Sequence, residues 1–140
     1  MHGTLAREYK VLCVPPKETW RIWPRVEAFL RGGQKAGGEY FDKVSTLIDL
    51  RTGHLLLWIA YQDQKILAAA LTRLIKGDDL VCQLVTIGGS GMRRWVHLRS
   101  EIESYARDEG CSRMRLYGRA GWKRVLADYQ QTGIILEKRL

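Results

Sequence analysis

The chain has 140 residues, the length of one domain rather than two, so a single domain over 1–140 is expected. Apolar residues make up 46% and charged residues 27%, a globular rather than a disordered composition. With 23 Lys and Arg against 15 Asp and Glu the net charge is +8, which favours anionic partners such as phosphates, a phosphorylated cofactor or nucleic acid.

The longest apolar run, Leu55 to Tyr61, falls far short of the ~20 residues a membrane helix needs, and the amino terminus shows no apolar core of signal-peptide length. A cytoplasmic protein with no membrane partner is therefore expected. Cys13, Cys82 and Cys111 are odd in number and form no C-x-x-C pair. The three histidines, His2, His54 and His97, show no metal-ligand spacing, so no metal site is expected.

Tyr9 to Val14 reads as a first strand, stopped by Pro15-Pro16. Trp20, Trp23, Val26 and Leu30 recur at steps of three and four and predict a helix, kinked at Pro24 or beginning there. Gly32-Gly33 and Gly37-Gly38 end it. Tyr40 to Leu50 reads as a second helix with Phe41, Val44, Leu47 and Ile48 on its apolar face and Gly53 as a left-handed cap. Leu55 to Tyr61 and Ile66 to Ile75 flank a short polar stretch and predict a hairpin. After the turn at Lys76–Asp79, Leu80 to Ile87 is a fourth strand. Met92 to Glu109 is the clearest helix, with Trp95, Leu98, Ile102 and Tyr105 on one face and Gly110 as its stop. Arg113 to Tyr117 reads as a fifth strand, Trp122 to Tyr129 as a short helix and Gly133 to Leu140 as a last strand. The order is β-α-α-β-β-β-α-β-α-β, an α/β arrangement of helices on a mixed sheet.

That order, over nearly the whole chain, resembles the GCN5-related N-acetyltransferase (GNAT) fold, a mixed, mostly antiparallel sheet flanked by helices. Two local patterns sharpen the resemblance. The run Tyr105-Ala-Arg-Asp-Glu-Gly-Cys111 before a strand is similar to the end of the family's third helix. The run Val125 to Ile134, with Tyr129 four residues before Gly133, is similar to the family's last helix and the glycine after it.

The resemblance implies an acyl-CoA-dependent N-acyltransferase using acetyl-CoA, with an amine acceptor that the sequence does not name. It places the pantetheine arm along Val85, Thr86 and Ile87, where exposed strand edge pairs with amides as an added strand would. It places the pyrophosphate at the turn before the third helix, on Gly89, Gly91, Met92, Arg93 and Arg94, where free N–H groups and the helix dipole favour anions. That loop is degenerate, because Arg93 and Trp95 stand where the family pattern has small residues. Arg119 is a further phosphate contact. Tyr129 matches the tyrosine that donates to the departing thiolate. The fourth strand, Leu80 to Ile87, contains no acid, and Gln83 cannot act as a base. His54, Glu39 and Asp42 remain as bases from the second helix and its flanking loops.

Nine Arg and Lys between Arg93 and Arg124 face only four acids, and Arg113 and Arg115 share one face of the fifth strand. This basic face suits phosphate or nucleic-acid backbone. The G-R-x-G-W segment at Gly118 to Trp122, with the degenerate loop, resembles GNAT-like chains of tailed phages. The second reading is accordingly a non-catalytic module that binds a protein partner, as a virion or head-to-tail component.

Overall fold

The computed structural model describes residues 9–90, 92–118, 126–133 and 136–140, and of 92–96 the backbone only. Five strands form one sheet in the order β1-β2-β3-β4-β5: Lys10–Cys13, Leu56–Gln62, Lys65–Lys76, Leu80–Gly89 and Arg113–Leu116. Three helices accompany it, α1 (Thr19–Lys35), α2 (Lys43–Thr52) and α3 (Met92–Asp108). The first four strands are antiparallel, and β5 joins β4 in parallel.

The connections explain these directions. β2 and β3 are joined by Asp63-Gln64, with Asp63 at φ 57. The β3–β4 turn closes with Gly77 N–H on Asp79 O at 2.9 Å. Such short links force antiparallel pairing, whereas a parallel neighbour needs a crossover, which α3 supplies.

The sheet separates two apolar layers. On one face Trp23, Val26 and Leu30 of α1 pack on Leu57, Ile59, Ala69, Leu71 and Val85. On the other, Leu98, Ile102 and Ala106 of α3 pack on Trp58, Ala60, Ala70 and Leu84. The Trp58 Nε1 donor on β2 is met by Thr72 Oγ1 on β3 at 2.9 Å in the buried interior.

The helices bring three refinements. A 3₁₀ turn at Pro16–Glu18 leads into α1, which starts at Thr19 and passes through Pro24. Pro24 stands in the second turn, where it removes one bond, to Trp20 O, from the helical ladder without ending the helix. α2 starts later than expected, because Asp42 caps it by accepting from Ser45 N–H at 3.0 Å. It ends at Gly53, φ 83, as expected. Val44 and Ile48 do not face the core: they are exposed, and Thr46 and Leu50 are buried in their place.

The expected last helix and strand are not among the described elements. Leu126–Tyr129 make a turn, with Tyr129 N–H on Leu126 O at 2.9 Å, a three-residue step rather than a helical one. Residues 136–140 pair with no strand and are exposed. Alternation there sets Leu136, Lys138 and Leu140 on one side and Glu137 and Arg139 on the other, so neither side offers a continuous apolar face to bury.

Candidate active site

Strands β4 and β5 run together for only four pairs, from Val81 with Arg113 to Leu84 with Leu116. β4 then continues to Gly89, while the chain after Leu116 leaves strand geometry. The result is a fork. Beyond Leu84 the outer edge of β4 has no strand partner among the described residues. A shallow cleft lies in the fork, lined by Leu84, Val85, Thr86 and Ile87 of β4, Leu116 and Tyr117, and Gly33 and Gly38.

A bulge sets the shape of the long arm. Leu71 lies opposite Thr86 and Thr72 opposite Leu84, so Val85 is the extra residue. Val85 and Thr86 consequently both turn toward α1. Val85 joins the α1-side core, and Thr86 Oγ1 donates to Leu30 O at 3.1 Å. Helix and strand are in backbone contact here. A Cβ on Gly33 would lie 2.3 Å from Ile87 O, and one on Gly88 only 1.9 Å from Phe29 O. Gly88 and Gly89 thus belong to the strand, with Gly89 opposite Ala68, and α3 begins at Met92.

The end of α1 delivers an acid to the closed end of the fork. Gly38 N–H bonds Gly33 O at 3.0 Å and Gly37 N–H bonds Gln34 O at 3.1 Å, with Gly37 at φ 109. This is a Schellman stop, which reverses the chain. Glu39 N–H then lands on the bulge carbonyl, Val85 O, at 2.9 Å. The loop is pinned again where Phe41 is buried edge-on to Trp23 and Arg31 donates to Phe41 O at 2.8 Å. So held, the Glu39 carboxylate takes Arg73 Nη2 on Oε1 at 2.5 Å and Gln83 Nε2 on Oε2 at 2.6 Å. Its side chain retains 23% exposure, so its remaining lone pairs are open to a substrate.

The other expected bases are elsewhere. Asp42 is committed to capping α2, and the Ser45 N–H holds its carboxyl below the usual carboxylate range. His54 Nδ1 is 2.7 Å from Thr52 Oγ1 at the exposed end of α2. Tyr129 does not line the cleft. Its hydroxyl donates to Glu103 Oε2 at 2.6 Å on α3, and the Arg99 guanidinium sits 5.9 Å from its ring centre while pairing Asp128 at 3.2 Å. Burial first, then the Glu103 bond, pushes the phenol well above its ordinary value.

Of the expected cofactor contacts, Val85, Thr86 and Ile87 line the cleft together. Met92, Arg93 and Arg94 open α3, but their side chains lie outside the described residues, as do Gly91, Arg119 and the indoles of Trp95 and Trp122. The basic stretch is partly discharged by local pairs: Arg99 with Asp128, Arg107 with Glu103, and Arg113 with Asp79. Arg73 is the site residue that sequence reasoning missed. It stands among apolar residues in β3, and its distance from the Gly77–Asp79 turn equals that of Gln83, so hairpin geometry alone sets them opposite each other.

No protein-family model and no curated protein sequence matches the chain. Solved structures do match it. An aminoglycoside acetyltransferase from an uncultured soil metagenomic sample, in complex with sisomicin, superposes with TM-score 0.72 at 7% identity, over 94% of this chain and 96% of that one. A predicted acetyltransferase with acetyl-CoA from Clostridium acetobutylicum gives 0.67 at 13% identity, over 94% and 96%. Glucosamine-6-phosphate N-acetyltransferase from Arabidopsis thaliana gives 0.67 at 11% identity, over 95% and 99%. The fold of the chain is the GNAT fold, as the sequence order implied.

Proposed function

We propose that this protein is an acyl-CoA-dependent N-acyltransferase that acylates a primary amine. The observation that carries the reading is the β4–β5 fork with the Glu39 carboxylate fixed at its closed end. The residues of the fork fit acetyl-CoA: the free edge of β4 offers backbone groups to an amide-bearing arm, and Leu84, Ile87 and Leu116 offer apolar walls. That the compared structures are acetyltransferases, one holding acetyl-CoA, supports the reading.

When bound, acetyl-CoA supplies the activated acyl carbon to which the amine bonds as the carbon–sulfur bond breaks. The chain's own groups handle the protons. An acceptor arrives as an ammonium and must lose a proton to become a nucleophile. Glu39 takes the ammonium by charge and accepts that proton at a carboxylate oxygen. Arg73 and Gln83 orient the carboxylate, each on its own oxygen. Tyr129 is the donor proposed for the sulfur that leaves, on the family resemblance; the role requires its hydroxyl to exchange Glu103 for a cleft it does not line here. Arg93, Arg94 and Arg119 are the side chains proposed for the phosphates.

Calorimetric titration with acetyl-CoA and with CoA tests the first step, and thiol release from acetyl-CoA in the presence of amines tests turnover. No binding at millimolar ligand would end the reading. One observation favours a second reading, a non-catalytic module that docks a protein, for which a phage particle is the proposed setting. Val44 and Ile48 on α2, and Tyr40 in the loop before it, are exposed apolar side chains. Steady acylation by the pure protein would discard it.

A further inference from the structure

This inference rests on the acyltransferase reading and concerns the acceptor. Residues in register on adjacent strands share one face of a sheet. Arg73 lies opposite Gln83, and Gln83 lies opposite Arg115. The three therefore form one polar row across β3, β4 and β5, on the α1 side, one step before the last β4–β5 pair at Leu84 and Leu116. The row interrupts a face whose neighbouring members, Leu71 and Val85, are buried apolar residues. Glu39 sits on the row, tied to two of its three members. Gln83, 2% exposed, has its amide on Glu39 and bears no charge.

The charges do not balance. Arg73 and Glu39 neutralise each other, and Arg115 is left over. Its strand neighbour Arg113, on the same face, is answered by Asp79 at 3.0 Å. Arg115 is half-buried and has no hydrogen-bond or ion-pair partner among the described residues. Gln83, whose amide holds the Glu39 carboxylate, pairs with Arg115 across one strand spacing of ~4.8 Å, and a carboxylate and a guanidinium placed on neighbouring row members are complementary to a molecule that carries both signs.

We propose that the acceptor is a small primary amine bearing its own anionic group, its ammonium on Glu39 and its carboxylate or phosphate on Arg115, the two separated by about one strand spacing.

The test uses the full chain and two matched pairs: L-alanine against L-alaninamide for a carboxylate, and O-phosphoethanolamine against ethanolamine for a phosphate. Thiol release from acetyl-CoA gives kcat/KM, and calorimetry without acetyl-CoA gives direct affinity. The anionic member of at least one pair is expected to be preferred about ten- to hundredfold, the worth of one charge-assisted contact. Which pair shows the preference identifies the anion. In Arg115→Gln the ratio within that pair falls to near one, and acetyl-CoA affinity is unchanged. Equal use of both members by the wild type overturns the proposal. So does a preference that survives Arg115→Gln, or a loss of acetyl-CoA affinity in that variant, which would assign Arg115 to the cofactor. If acetyl-CoA neither binds nor turns over, the acyltransferase reading fails. The calorimetric arm still decides the site, since O-phosphoethanolamine or L-alanine either binds through Arg115 or does not.

Discussion

Two adjacent glycines in the last turn of α1 have opposite surroundings and should respond oppositely to the same substitution. Gly32 is exposed, and a Cβ there would meet nothing within 4 Å. Gly33 is buried, and a Cβ there would lie 2.3 Å from Ile87 O and 2.4 Å from Thr86 Oγ1. Gly32→Ala gains helix propensity and is expected to stabilise by about 0.5–1 kcal/mol. Gly33→Ala must push α1 and β4 apart by about 1 Å, with backbone on both sides and little room to relax. Overpacking of this kind costs about 1–3 kcal/mol, and loss of the buried Thr86–Leu30 bond adds about 1 kcal/mol. After the propensity gain, a net cost of about 2 kcal/mol remains. At an unfolding entropy of about 2.1 cal/mol/K per residue, this corresponds to a Tm lower by about 7 °C, against a rise of about 2–3 °C for Gly32→Ala. Scanning calorimetry reads both. A Gly33→Ala protein as stable as the wild type would refute the backbone contact. Equal destabilisation by the two variants would mean that the turn needs glycine itself. The contact also carries the loop that brings Glu39 to Val85, so Gly33→Ala should depress turnover by more than its folded fraction accounts for.

Further expectations follow from the site and from the titrating groups. Glu39→Gln keeps the shape and the bond from Gln83 but cannot accept a proton. It should lower kcat/KM by about 10²–10⁴ with acetyl-CoA affinity retained in calorimetry; an unaltered rate would remove Glu39 from the mechanism. Tyr105 is pushed up to about 12 by burial first and Glu109 second, and Tyr129 is raised in the same direction. Their contribution is complete below the unfolded value of about 10 and is lost as pH rises through the folded values, so urea midpoints should fall between about pH 10 and 12 and hold steady below. Asp42 is lowered by Ser45 N–H, and Asp79 by the Ser112 hydroxyl and then Arg113. Their contribution is present above about pH 4 and fades as acid takes pH through the lowered values. Asp42→Asn, which still caps, should flatten that acid limb while leaving neutral stability nearly unchanged.

The sequence was legible where a rule is local. Trp23, Val26 and Leu30 announced α1, the two hairpins showed in their polar interruptions, and Gly53 and Gly110 marked helix ends by the left-handed turns they make. Two failures have distinct physical causes. In α2 the expected apolar face held for Phe41 and Leu47, which pack on the core, and failed for Val44 and Ile48, which are exposed while Thr46 and Leu50 are buried, because which stripe of a short helix is covered is set by packing. Gly88-Gly89 looked like a phosphate turn, but their small size serves close approach by α1 and β3, a demand that only the packed structure reveals. The site was partly legible. Glu39 stood among three acid–base candidates, and choosing it required the bulge at Val85, since an extra residue in one strand leaves no periodic trace. Arg115 showed as charge, but its standing without a partner among the described residues is a tertiary fact.

Tyr129 presents the sharpest choice between chemistry and architecture. Its hydroxyl is on Glu103, in a network where Arg99 also pairs Asp128, so it ties the turn at 126–129 to α3. Tyr129→Phe removes that donor and leaves Glu103, mostly buried, with Arg99 and Arg107 as its remaining partners among the described residues. The structural cost should be about 1–3 kcal/mol, read as a Tm lower by several degrees. A role in transfer adds a separate signature. A thiol has a pKa near 8.5 and leaves readily without help, so a lost proton donor should cost about 10- to 100-fold in kcat, toward the low end for general acids. The loss should shrink with a more acidic thiol leaving group, which needs the proton less. An architectural tie predicts no such dependence. A variant whose rate at a temperature well below its Tm equals that of the wild type, with every thioester, would confine Tyr129 to holding the turn against α3.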